Sequence, residues 1–164
     1  MQILLQHVTL NRLRPSGQIR GFLSTPPGIM KMLETFLACL IFTSLEERQY
    51  GHSPELQWCV AVYSLCFILA MLIILLTVGQ LTSLLPFFDK MVIVYDILAA
   101  VMYLTAMVIW PLFSFRNNQR PPNCGYLCSW DKLVMVTVMT ILNFVVYVLD
   151  SVYSMRLVLS VSAQ

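Results

Sequence analysis

The stretch Trp58–Val78, WCVAVYSLCFILAMLIILLTV, decides the fold. It carries no charge, and from Cys66 to Leu76 it is apolar without a break. A strand of a membrane barrel would alternate polar and apolar residues, and this run does not. In lipid every backbone N–H and C=O needs an internal partner, which leaves a helix as the remaining solution. A bilayer's hydrocarbon core is about 30 Å thick, so about 20 apolar residues rising 1.5 Å each will cross it. Trp58–Val78 meets that length directly.

Three more runs flank it: Gly28–Leu45, Met91–Phe113 and Leu133–Leu149, the last continuing more weakly to Leu159. They predict helices over 28–45, 58–78, 91–113 and 133–155 of the 164 residues. The composition agrees, with 59% hydrophobic and 11% charged residues and a mean hydropathy of +0.77. A soluble domain carries roughly 25% charged residues. Short connections make consecutive helices antiparallel neighbours. The expected architecture is all-α: an antiparallel four-helix transmembrane bundle, forming a single domain over 28–159. A lead-in (1–27) precedes it and a short tail (160–164) follows it.

Net charge is only +2, and no basic run interleaved with aromatics occurs, so nucleic acid is not an expected partner. Met1–Leu10 is too short for a signal-peptide core, so insertion would use the first helix itself. Six Lys and Arg lie on the side of the N-terminus, loop 2 and the tail, against four on the side of loops 1 and 3. That bias favours both termini in the cytosol. Trp58, Trp110 and Trp130 fall at the loop 1 and loop 3 ends of their helices, as an aromatic belt would.

Cys124 and Cys128 lie in loop 3, close enough for a turn to bring them within disulfide range. An extracytosolic loop would oxidise them. Cys59, at the same membrane face, is a competing partner. A zinc site from Cys124, Cys128 and His52 lacks a paired-ligand motif, and no metal is expected. Cys39 and Cys66, inside helices, read as small apolar packers.

Projected at 100° per residue, Thr140, Asn143, Tyr147, Asp150, Ser151 and Ser154 form one polar stripe on the fourth helix. Lipid penalises such groups, so the stripe should face the other helices. Lys31, Glu34, Asp96, Asp150 and Arg156 fall at one depth of an up-down bundle. Two readings compete. One is a proton or cation relay. The other is a polar plug, with acids bonded to Asn143, Tyr147 and hydroxyls while Lys31 or Arg156 snorkels to the headgroups. A relay should continue across the membrane, and no acid lies in the outer half. Ala99 and Ala106 share a face of the third helix and would allow close packing. No catalytic, phosphate-binding or dinucleotide motif occurs, so no enzyme activity or cofactor is expected.

Several pieces, in order, resemble the myeloid-associated differentiation marker family, whose members carry four-helix MARVEL domains. They are Arg14-Pro-Ser-Gly, the run Gly21–Phe36, Leu56–Tyr63, Leu104–Leu112, Cys128-Ser-Trp-Asp131 and Tyr147–Ser154. Typical members carry two modules in tandem, and this chain is similar to the second alone. Glu34 and Asp150 match positions that recur in the family; Asp96 is not explained by the resemblance. The resemblance implies membrane organisation: sterol-rich ordered domains, membrane apposition, and scaffolding of cortical or trafficking proteins at the plasma membrane. A homo-oligomer fits the same role. A small transporter or channel subunit is the competing class.

Overall fold

The computed structural model describes residues 21, 24–45, 54–79, 87–117, 119, 120, 122, 123, 125 and 128–162. Most of the lead-in, loops 1 and 2, His52 and Cys124 lie outside them. Among the described residues four helices make up the fold: α1 (Pro26–Ser44), α2 (Pro54–Val78), α3 (Phe88–Asn117) and α4 (Ser129–Ser162). All four are long and apolar enough to cross a membrane.

Helix α1 opens on Pro26 and Pro27, where a missing N–H costs nothing and φ is already helical. The Thr25 carbonyl accepts the Ile29 N–H at 3.0 Å. Helices α3 and α4 overrun their apolar cores at both ends, reaching about 45 and 51 Å at 1.5 Å per residue. The physical reason is that polar residues at the interface end the hydropathy signal but not the i→i−4 bonding. Pro111 sits inside α3 without ending it.

The backbones stand on a square, α1 and α3 each beside both α2 and α4. Direction follows from contacts. Tyr95, near the start of α3, meets Cys66 of α2, while Trp58, near the start of α2, meets Thr105 farther along α3. Those two helices are therefore antiparallel. Lys31, early in α1, meets Asp96, early in α3, and Asp150, late in α4. The topology is up-down-up-down.

One spacing builds the core from every helix. Buried residues recur at alternating steps of three and four: Lys31, Glu34, Ala38, Ile41 on α1; Leu56, Cys59, Tyr63, Cys66, Ala70 on α2. Helix α3 offers Asp96, Ala99, Tyr103, Ala106, Trp110, and α4 offers Leu133, Val136, Thr140, Asn143, Tyr147, Asp150. That 3.5-residue period keeps one seam facing the bundle axis, the packing of left-handed four-helix bundles. The opposite faces expose Phe36, Leu65, Ile68, Leu75, Val94, Leu98, Leu112 and Leu142. In water such a surface would be a liability; against acyl chains it costs nothing.

Candidate functional site

The seam carries polar residues at the end of the bundle where α1 and α3 begin. Lys31 is buried there, its Nζ 2.9 Å from Glu34 Oε2 and 2.8 Å from Asp150 Oδ2, and paired also with Asp96 Oδ1. An ammonium has three donors, and here each faces a different carboxyl group. Glu34 and Asp96 are fully buried, and Asp150 is 1% exposed. The Asp150 contact has ion-pair distance without the alignment of a hydrogen bond. The Lys31 ammonium also lies 5.4 Å from the centre of the Tyr95 ring and 5.6 Å from that of Tyr147, within cation–π range.

Lys31 thus does not snorkel. Its stem sits on the inward seam of α1, and the carboxyls of α3 and α4 hold its head inside. Nor does Arg156 join the cluster: it lies six residues beyond Asp150 and is exposed. One oxygen from each of Glu34, Asp96 and Asp150 lies within 4.8 Å of the other two, a spacing that a metal ion could also use. Lys31 already supplies a tethered cation to that trio. The carboxyls are its counter-ions, and the arrangement is not assigned as a metal centre.

Beyond this cage runs a ladder of rings. Tyr95 and Tyr147 meet edge-on at 6.1 Å, Tyr147 and Tyr103 at 5.2 Å, Tyr103 and Tyr63 at 5.7 Å, and Tyr63 and Trp110 at 6.0 Å between centroids. Hydroxyls follow the rings. The Tyr95 OH donates to the Cys66 carbonyl at 2.9 Å and lies 2.9 Å from the Tyr147 OH. The Tyr63 OH lies 3.0 Å from the Thr140 Oγ1 across the α2–α4 diagonal, and Thr140 in turn donates to the Val136 carbonyl. Tyr103 approaches Asn143 without closing a well-directed bond, and both amide atoms of Asn143 are buried without a partner among the described residues. Past Thr140 the polar column is interrupted, with the buried Ser114 lying one turn beyond Trp110 on α3. Ile41, Leu56, Cys59, Trp110, Leu133 and Val136 fill the axis.

Of the expected site residues, the structure brings together Lys31, Glu34, Asp96 and Asp150, with Tyr147 beside them. Asn143 lies on the same α4 seam, two turns from Asp150, and does not bond the acids. Ser151 is buried and Ser154 half-buried, so the α4 stripe faces inward as expected. Ala99 and Ala106 lie on the α3 seam. The belt of three tryptophans holds only in part. Trp58 is 45% exposed, and Trp130 is half-buried between Phe115 and Arg120. Trp110 is fully enclosed at the head of the ring ladder, because the α3 seam turns it inward. Cys66 packs in the core, but Cys39 is exposed on the outer face of α1 and is not a packer. Cys59 is a buried free thiol, and Cys128 is disulfide-bonded. Its expected partner, Cys124, lies outside the described residues.

The residues that sequence reading missed are Tyr63, Tyr95 and Tyr103. Two carried a usable signal. Tyr103 stands seven residues after Asp96, and Tyr63 three before Cys66 and four after Cys59, the same spacing that marks the α4 stripe.

Comparison with known proteins agrees with this geometry. The Membrane-associating domain, MARVEL, matches residues 22–153. The chain is 45% identical to the myeloid-associated differentiation marker homolog of Xenopus laevis, over 92% of this chain and 53% of that one. It is 41% identical to the human myeloid-associated differentiation marker, over 92% and 51%. It is 42% identical to human myeloid-associated differentiation marker-like protein 2, again over 92% and 51%. The chain thus spans about half the length of these curated relatives. No solved structure matches it. With four apolar helices, one inward seam and the domain match over nearly the whole bundle, the chain is an integral multi-pass membrane protein of the MARVEL family.

Proposed function

We propose that the protein is a non-enzymatic organiser of membrane, acting through its lipid-facing exterior and its loops on ordered, sterol-rich domains, membrane apposition or trafficking. The observation that carries this reading is the direction of its polarity. The ionic groups and most of the buried hydroxyls of the membrane interior turn onto the axis, where Lys31 meets the three carboxyls and Tyr63 meets Thr140, while the outer faces are apolar. A bundle built in this way has its outside as its working surface. Both termini in the cytosol, a plasma-membrane location, contacts with cortical or other membrane proteins, a homo-oligomer and a Cys124–Cys128 disulfide belong to the same reading.

Reconstitution into vesicles that separate into sterol-rich ordered and disordered phases tests it. The protein should concentrate in, or enlarge, the ordered phase. Uniform distribution, together with proximity labelling that returns no cortical or trafficking proteins, would overturn it.

The transporter reading draws on the buried cage. Against it stands the apolar fill beyond Thr140, where a solute path would have to continue. Flux of protons or small cations in liposomes separates the two, since the organiser is expected to give none above empty vesicles.

A further inference from the structure

The cage holds more acid than base. Lys31 is the one cation in it among the described residues, and Glu34, Asp96 and Asp150 face it. The groups beside them are neutral: Tyr95 from α3 and Tyr147 from α4, whose rings lie against the ammonium, and Cys66 from α2, whose carbonyl accepts from Tyr95. The other described cations of this end, Lys90 and Arg156, are exposed and outside the cage. Fully ionised, the cage would carry two uncompensated negative charges away from water, with carboxyl oxygens within 4.8 Å of one another. Buried charge of that kind is neutralised or paired, not tolerated.

A second observation points to what neutralises it. Lys31 takes up only one oxygen of each carboxyl. Glu34 Oε1, Asp96 Oδ2 and Asp150 Oδ1 are each buried with no hydrogen-bond partner among the described residues, and Asp150 Oδ2 has only its ion-pair contact with Lys31. An ionised carboxylate only accepts, and in a buried site it gathers donors on both oxygens. These three lack donors on the far side. A carboxylic acid has less need of them.

We infer that the Lys31 cage is a proton-binding site holding two protons, shared among Glu34, Asp96 and Asp150 opposite one charged ammonium. The ligand is the proton itself, and its role is to make this charged cluster on the bundle axis electroneutral. The site is a store, not a relay. Its protons have no continuing path, since the hydroxyl column beyond it closes at Ile41, Cys59, Val136 and Trp110.

The stoichiometry makes the inference testable. Replacing one carboxyl by its amide removes one acid, so charge balance then needs one proton. Replacing two leaves one carboxylate against Lys31, and none is needed. Infrared spectroscopy of the purified chain in lipid nanodiscs at neutral pH reads the carbonyl stretch of protonated carboxylic acid, separate from carboxylate. The native chain should show a band of two carboxyls. The band should halve in Glu34→Gln, Asp96→Asn or Asp150→Asn, and vanish in the double variants Glu34→Gln/Asp96→Asn and Asp96→Asn/Asp150→Asn. The native measurement alone is decisive if a variant fails to fold, since a native spectrum without the band overturns the inference. So does a band that persists in the double variants. Thermal stability that rises with added sodium or calcium and falls with a chelator would put a metal ion in place of the protons, and also overturns it.

Discussion

Lys31 Nζ and Asp150 Oδ2 lie 2.8 Å apart, joining the first turns of α1 to the second half of α4. That pair closes the square of helices, because α1 and α4 are far apart in the chain yet adjacent in the bundle. With Asp96 on the same ammonium, three of the four helices are tied at one depth.

Lys31→Met removes the shared cation and leaves three buried carboxyl groups without it. Breaking a buried ion pair from one side typically costs about 3–5 kcal/mol. The variant should melt well below the native protein in detergent and accumulate poorly in cells. Native-like melting would show that the cage does not hold the helices together.

Asp150 should be structural. Asp150→Asn keeps shape and hydrogen-bonding capacity, and is expected to preserve folding and surface delivery. Asp150→Leu strands buried partners at about 1–3 kcal/mol per group and should reduce the mature protein. An Asn variant that folds normally while a measured proton flux disappears would favour transport instead.

Asn143 behaves oppositely. Its amide is buried with neither atom partnered among the described residues, so it already bears a desolvation cost. Asn143→Leu should be neutral or stabilising by about 1 kcal/mol, as read by thermal melting. A large loss would mean that the amide is satisfied in the folded membrane protein.

Tyr63 and Thr140 bridge a diagonal of the bundle at 3.0 Å. A double-mutant cycle with Tyr63→Phe and Thr140→Val should return a coupling of about 0.6 kcal/mol, the average for hydrogen bonds inside membranes, and at most about 1.7 kcal/mol. Additive effects would place the two hydroxyls out of contact.

Mass spectrometry of unreduced protein should find Cys128 linked to Cys124, with Cys39, Cys59 and Cys66 as thiols. A Cys59 link would reassign the bridge. In selectively permeabilised cells, tags on both termini should stain only after the plasma membrane is opened; an N-terminal tag stained in intact cells would invert the topology.

The sequence by itself determined the solvent, the four crossings and the inward face of α4. Each of these rests on local periodicity: uncharged runs as long as a bilayer is thick, and polar residues spaced three and four apart on one helix. Depth was legible as well, because an up-down order puts Lys31, Glu34, Asp96 and Asp150 at one end. What each side chain does at that depth was not. Whether Lys31 reaches headgroups or carboxyls depends on the rotation of α1 about its axis, and packing against α2 and α4 sets that rotation. Trp110 and Cys39 went to unexpected sides for the same reason: helix position gives depth, but neighbours decide which face is inward. The tyrosine ladder was invisible one helix at a time. Its rungs come from α2, α3 and α4, and a ring contact across a bundle exists only once three helices share an axis.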